Sequence, residues 1–175
     1  MSRVIRIPQT IEARLKNLTQ VDDETNGVLL YEQEGNVCNI STLFMTGHGT
    51  PGHVIADPNR VAIVNEFFAR NPNVGYVKFH SHTRKTVDKF GDRYLRQFSQ
   101  GDLDSYKEQF QSDKEFIAML VTSETELTCG LDNPNIEIVP DTLDFIEKEN
   151  QIAHQFSEIK TSLNIELSRY QVKKS

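Results

Sequence analysis

The sequence has little cysteine, no long apolar run and no excess of basic residues. Only two cysteines, Cys38 and Cys129, occur among 175 residues, too few and too far apart for a disulfide framework. Their scarcity favours a reducing compartment. No stretch approaches the roughly 18 consecutive apolar residues of a membrane span, and residues 1–6 lack the apolar run of a signal peptide. We therefore expect a cytoplasmic protein that does not enter a membrane.

The charge balance also excludes one class of partner. The formal net charge is −6 and the sequence pI is about 5.4, whereas a nucleic-acid-binding protein needs a concentrated basic face to contact phosphates. Neither an internal repeat nor a low-complexity segment is present. The length and a hydrophobic content of 37% suit one globular domain with an appendage.

The most informative stretch, residues 76–82, is predicted to be a buried strand that ends with two histidines. Side chains two positions apart on a strand point to the same face, so His80 and His82 can reach one metal ion. A catalytic site needs a third protein ligand and an open position. Asp102 offers the third ligand at a predicted helix start, where Ser99 is suited to be the N-cap.

A glutamate upstream completes a recognisable pattern. Glu24 stands just before a predicted strand that begins Gly27-Val28-Leu29-Leu30. A glutamate ahead of a glycine-hydrophobic strand, then His-x-His, then Ser-x-x-Asp, resembles the signature of the JAMM (JAB/MPN) metalloproteases over about residues 5–130. The chain departs from that pattern in its sixteen-residue spacer, 83–98, which is longer than the family's, and in Thr83, where the family often has proline.

The resemblance implies a fold, a cofactor and a reaction. The fold would be an α/β (α+β) arrangement with a mixed β-sheet flanked by helices, JAB/MPN-like with cytidine-deaminase-like layering. His80, His82 and Asp102 would bind Zn²⁺, Glu24 would be the general base, and Ser99 would donate a hydrogen bond to the oxyanion. The enzyme would be a zinc metallopeptidase that hydrolyses a peptide or isopeptide bond at the C-terminus of a ubiquitin-like or sulfur-carrier protein.

Alternatives remain open at the level of function. An MPN-type domain can also be a catalytically inactive scaffold or assembly module. A zinc-dependent amidohydrolase acting on a small substrate is a third possibility. A long peptide groove at the site would disfavour the small substrate, and a closed pocket would favour it.

Individual positions also have competitors. Asp88 and Asp92 could replace Asp102 as the third ligand if the spacer folds over the metal. Asp22 and Asp23 compete with Glu24, although their spacing to the glycine fits less well. His48, His53 and His154 are expected to bind no metal.

The coarse prediction of secondary structure alternates strands and helices. Strands are predicted at 3–7, 27–32, 37–45, 74–80, 116–122, 126–129 and 136–139, and helices at about 8–20, 57–70 and 101–111. Asp57 and Pro58 suit the N-cap and first position of the second helix. The glycine-rich stretch 46–53 has no periodicity and is predicted to be a loop.

Two segments lie outside that core pattern. The insert 83–98 carries five basic residues and is predicted to be either a solvated loop with a helical turn or a flap that faces the substrate. Residues 141–172 contain no glycine or proline, so we predict a long C-terminal helix. The segment would be a helix that packs on its own domain, a helical arm that pairs with a second copy or a partner, or else a disordered tail. We accordingly divide the chain into a domain, 1–140, and a helical extension, 141–175.

Overall fold

A mixed β-sheet with helices on both faces forms the protein. The computed structural model describes residues 2–113, 115–130 and 133–167. Its strands are β1 (Val4–Pro8), β2 (Thr25–Glu34), β3 (Val37–Thr50), β4 (His53–Ala56), β5 (Gly75–Ser81), β6 (Ile117–Val121), β7 (Glu126–Gly130) and β8 (Asn135–Val139). Its α-helices are α1 (Gln9–Leu18), α2 (Pro58–Arg70), α3 (Arg84–Phe90), α4 (Gln100–Ser112) and α5 (Leu143–Ser162), and Asp92–Leu95 is a 3₁₀ helix.

The sheet places β5 near its centre. The strand order is β7-β6-β5-β2-β3-β1-β8, and β4 pairs with the far end of the long strand β3. Neighbouring strands are antiparallel except for β5–β6, β1–β3 and β1–β8, which are parallel. The predicted mixed sheet with flanking helices is therefore confirmed, and the strand that carries His80 lies between two others.

Alternation along the strands divides the core between the two faces of the sheet. Leu29, Val77 and Phe79 pack with α1 on one face, while Val28 and Leu30 pack with α2 and α5 on the other. The second face also holds α4, whose Tyr106 packs beside Phe116 and Ala118. Because His80 alternates with Phe79, its side chain belongs to the face that carries α4.

The prediction of a loop at 46–53 is wrong, because most of this stretch is strand. β3 continues to Thr50 and turns at Gly52, whose φ of 85° favours glycine, into β4. A side chain at Gly49 would collide with the His53 carbonyl of the paired strand, so glycine permits this close pairing. The glycines that suggested a loop are therefore the residues that allow the hairpin.

The insert 83–98 is folded onto the domain. Thr83 caps α3 through its hydroxyl, and Thr86 and Val87 of that helix are buried. The five basic residues of the insert are all exposed, as their charge predicts for the side that faces solvent. Thr83, Thr86 and Val87 are buried, so this part of the insert packs on the domain.

The C-terminal helix packs on its own domain. Ile152 and Ile159 are buried against α2 and the sheet, and the Phe156 ring lies 4.5 Å from that of Phe44.

The predicted N-cap of α2 at Asp57 is confirmed, since its carboxylate accepts a hydrogen bond from the Asn59 amide. No described helix is long and apolar enough to cross a membrane.

The predicted span of that helix, 141–172, is too long. Asn164 takes a positive φ of 52°, and the amides of Asn164 and Ile165 bond to the carbonyls of Thr161 and Lys160. This pair of hydrogen bonds is a Schellman C-cap, which asparagine can form because it tolerates the left-handed conformation. Residues 168–172 lie outside the described residues. The division of the chain at residue 140 stays a prediction.

Candidate metal centre

Three potential ligands from two elements converge at one point. His80 on β5 and His82, just beyond its end, place their ring centroids 5.1 Å apart. Asp102 comes from the first turn of α4, and its Oδ2 lies 3.3 Å from His80 Nε2 and 3.7 Å from His82 Nε2. The ligand atoms of the three residues lie within 4.8 Å of one another, so this group could hold a metal ion.

The second nitrogen of each imidazole is held from outside the group. His82 Nδ1 lies 2.9 Å from the backbone carbonyl oxygen of Tyr94. A carbonyl only accepts, so Nδ1 carries the proton and Nε2 is left to act as a ligand. His80 Nδ1 lies 2.9 Å from the Tyr106 hydroxyl, which accepts from Nδ1–H in the corresponding tautomer. Such outer contacts commonly orient metal-binding histidines.

His80 Nε2 supplies a direct test of whether a cation fits. This nitrogen is buried but makes no hydrogen bond, although it points toward Asp102. A buried polar atom without a partner costs about 1–3 kcal/mol, and a metal ion between the three ligands would remove that cost. Two imidazoles and one carboxylate are also an ordinary donor set for a transition-metal ion.

Asp102 is fixed by the start of its own helix. Ser99 is the N-cap of α4: its hydroxyl accepts from the Asp102 amide at 3.1 Å, and the Asp102 carboxylate accepts from the Ser99 amide at 2.8 Å. This reciprocal pair is a capping box, so the predicted N-cap is confirmed. The Ser99 hydroxyl also donates to Asp102 Oδ2 at 2.7 Å. The contacts that begin the helix therefore also aim the carboxylate at the histidines.

The contacts within the group shift the pKa values of two of its members. Burial alone would raise the pKa of Asp102, but the contacts with His80, His82 and Ser99 outweigh it and hold that pKa far below its usual range. Burial would lower the pKa of His82, yet its contacts with Asp102 and the Tyr94 carbonyl and the charge of Glu24 raise it above the usual value of 6.5. Asp102 is therefore a carboxylate at neutral pH, and protons compete for His82.

Metal affinity should consequently depend on pH. Because a proton and a metal ion compete for His82 Nε2, we expect the apparent affinity for Zn²⁺ to fall at least about tenfold per pH unit below the raised pKa of His82. Calorimetric titrations between about pH 5.5 and 8 would measure this. The stability of the metal-free protein should depend on pH in the opposite direction. Protonated His82 stabilises the fold at low pH, and that stabilisation is lost as pH rises through the raised pKa of His82. An affinity independent of pH would contradict His82 as a ligand.

Glu24 lies in the same site and is held by the insert. It is only 3% exposed, and its Oε1 accepts a hydrogen bond from the Thr86 hydroxyl at 2.5 Å. Its backbone carbonyl accepts from the Gly49 amide at 2.9 Å, so the unexpected β3–β4 hairpin fixes its main chain. A buried carboxylate positioned by one hydroxyl is suited to proton transfer.

All five residues singled out from the sequence line one cavity of about 530 Å³: Glu24, His80, His82, Ser99 and Asp102. The competing positions lie elsewhere. Asp88 and Asp92 are exposed on the insert, and Asp22 forms an ion pair with Lys85 at 2.6 Å. His48 and His53 are exposed on the hairpin and are not members of the ligand group.

Other residues of the site were missed from the sequence. Tyr106 stands one helical turn after Asp102, and Lys78 stands two positions before His80, so helix and strand periodicity could have placed both. Thr86 and the Tyr94 carbonyl come from the insert, and nothing local in the sequence indicates their contacts with Glu24 and His82. Lys78 also lines the cavity, and burial lowers its pKa.

Comparison with known proteins adds information on the fold alone. No protein-family model matches this chain, and no curated protein matches it. Among solved structures, the chain is similar to the solution structure of protein DSY2949 from Desulfitobacterium hafniense, with a TM-score of 0.56 and 12% sequence identity. The match covers 81% of this chain and 97% of that one, so most of the architecture described above also occurs in that protein.

Proposed function

We propose that this protein is a zinc-dependent metallopeptidase of the JAMM type, which hydrolyses a peptide or isopeptide bond. The observation that carries the proposal is the convergence of His80, His82 and Asp102 in a cavity that also contains the buried carboxylate of Glu24. A metal site with a purely structural role does not require a buried carboxylate, such as that of Glu24, in addition to its ligands. A hydrolytic site needs one as a proton acceptor.

Zinc is the metal that suits these ligands best. Two imidazoles and one carboxylate that line a cavity would hold zinc as the three protein ligands of a catalytic site do. When bound, zinc would lower the pKa of a coordinated water to about 7 and polarise the carbonyl of the substrate. The protein's own contribution is to aim Nε2 of both histidines inward, through the Tyr94 carbonyl and the Tyr106 hydroxyl.

Glu24 and Ser99 would handle the proton and the developing negative charge. Glu24 would take a proton from the attacking water and deliver it to the leaving amine. Ser99 could donate to the oxyanion after its hydroxyl turns from Asp102 Oδ2, 2.7 Å away. The Ser99 amide would still hold Asp102 during that rotation, since it donates to the same carboxylate at 2.8 Å.

Thr86 should act as a positioning residue for Glu24. The isosteric change Thr86→Val removes the hydroxyl that donates to Glu24 Oε1, and we expect a fall in kcat of about tenfold or more, because hydrogen bonds to charged groups contribute roughly 1.5–3 kcal/mol. Zinc affinity should remain unchanged. Thr86→Ser keeps the hydroxyl and should retain activity. Equal loss in both variants would show that Thr86 only packs.

The substrate class is drawn from the resemblance and from the shape of the site. Cleavage at the C-terminus of a ubiquitin-like or sulfur-carrier protein would place an extended chain in the cavity. The exposed basic residues of the insert, such as Lys89 and Arg93 beside the lining residues Phe90 and Tyr94, are suited to contact an acidic protein surface.

A second candidate is hydrolysis of a small amide. A cavity of about 530 Å³ falls within the roughly 300–1,000 Å³ that small-molecule sites occupy. The chemistry of Glu24 and the three ligands would be the same. The two candidates differ only in whether the bond belongs to a protein.

The test is to supply both kinds of substrate to the zinc-loaded protein. Ubiquitin-like proteins carrying a short C-terminal extension or an isopeptide-linked lysine, and acetylated dipeptides, would be incubated with the protein and analysed by mass spectrometry. We expect cleavage that a chelator abolishes and added zinc restores. No cleavage of either class by protein with one bound zinc per chain would overturn the enzyme and leave the assembly-module alternative.

A further inference from the structure

Lys78 stands in the same row of side chains as the two histidines. Lys78, His80 and His82 alternate along β5 and its extension, and all three line the cavity. On the facing helix α4, the Lys78 ammonium contacts Gln109 and His80 contacts Tyr106, so the two elements face each other residue by residue. A lysine therefore lines the same cavity as the metal ligands.

The ammonium of Lys78 has no carboxylate partner in the described part of the chain. It contacts the neutral side-chain oxygen of Gln109, at a long distance of 3.4 Å. Other partly covered lysines are paired, such as Lys16 with Glu126 at 3.0 Å and Lys148 with Glu32 at 2.6 Å. A partly buried cation without a counter-ion is unfavourable unless a ligand supplies the negative charge.

We propose that Lys78 binds a carboxylate of the substrate, on the residue next to the hydrolysed bond. The inference rests on the proposed amide hydrolysis and specifies its substrate. Lys78 and His80 are two positions apart, so their Cα atoms are about 6.6 Å apart along the strand. A substrate chain advances about 3.8 Å from one Cα atom to the next, so one to two of its residues span that separation. The carboxylate could be a free C-terminus or an acidic side chain.

Binding to a catalytically disabled protein tests this without relying on turnover. The probes are acetyl-glycyl-alanine, its C-terminal amide, and the amide of acetyl-glycyl-aspartate, titrated calorimetrically into zinc-loaded full-length protein carrying Glu24→Gln. We expect one or both of the probes with a carboxylate to bind at least about tenfold more tightly than the neutral probe. Whichever carboxylate probe gains affinity identifies the source of the anion.

Matched variants locate the contact. Lys78→Met keeps the length of the side chain and should abolish the preference, whereas Lys78→Arg should keep it. Lys107→Met, on the exposed side of α4 with its side chain 74% exposed, should change nothing. Zinc content must be the same in all four proteins, which also shows that each has folded.

Three results would overturn the inference: equal binding of all three probes, no binding of any, or a preference that survives in Lys78→Met. Each would mean that the ammonium does not contact a substrate carboxylate. Failure of the proposed function would appear separately. In that case the wild-type protein, with zinc bound, would cleave neither the probes nor the ubiquitin-like substrates, while the comparison of the probes' affinities would still be made.

Discussion

The change Glu24→Gln is expected to reduce hydrolysis by about 10²–10⁴-fold while leaving the metal in place. The amide has almost the shape of the carboxylate and can still accept from the Thr86 hydroxyl, so the packing of this buried position should be kept. What is lost is the ability to take a proton. Initial rates on a cleavable substrate, with zinc measured in the same samples, would show the loss of kcat at constant metal content.

Asp23→Asn provides the matched control for that experiment. Asp23 precedes Glu24 and carries the same charge, but it does not line the cavity. The control should retain near wild-type activity. Full activity in Glu24→Gln, or an equal loss in Asp23→Asn, would contradict the assignment of Glu24 as the general base.

The change His82→Ala is expected to weaken zinc binding by more than about 100-fold and to abolish hydrolysis. Loss of an outer-shell contact alone typically reduces metal affinity by about 10- to 100-fold, and this change removes a ligand. It would leave Asp102 with one imidazole 3.3 Å away. Calorimetric titration of the metal-free protein with Zn²⁺ would measure the difference.

His154→Ala is the control for the loss of a histidine. His154 lies on α5 with its side chain 77% exposed and contacts Glu158, so its removal should alter neither zinc affinity nor activity. If His82→Ala bound zinc as tightly as the wild type, the ion would have to lie elsewhere. The ligand group would then have no support.

The ligands could be predicted from the sequence because each depends on local geometry. Strand alternation alone puts His80 and His82 on one face, and the serine three residues before Asp102 indicates a capping box that fixes where the carboxylate points. That these two pieces meet depends on β5 lying beside α4 in the folded chain. The sequence supplied that step only through its resemblance to a family.

The contacts that hold the site could not be predicted in the same way. Thr86 reaches Glu24 across 62 positions of sequence, and the Tyr94 carbonyl is a backbone atom that any residue type would supply. The basic residues of the insert dominate its composition and are exposed. The composition therefore does not indicate which few side chains of the insert face inward. The hairpin that binds the Glu24 carbonyl was likewise not predicted, because its glycines are typical of a loop.

The central claim is that His80, His82 and Asp102 bind one zinc ion, and elemental analysis tests it most directly. The full chain would be purified, supplied with zinc, freed of excess metal and measured for zinc per chain, beside a His80→Ala, His82→Ala double variant. We expect one zinc per wild-type chain and none in the variant. A wild-type protein without zinc, or equal zinc in both proteins, would contradict the metal centre and the hydrolase proposed from it.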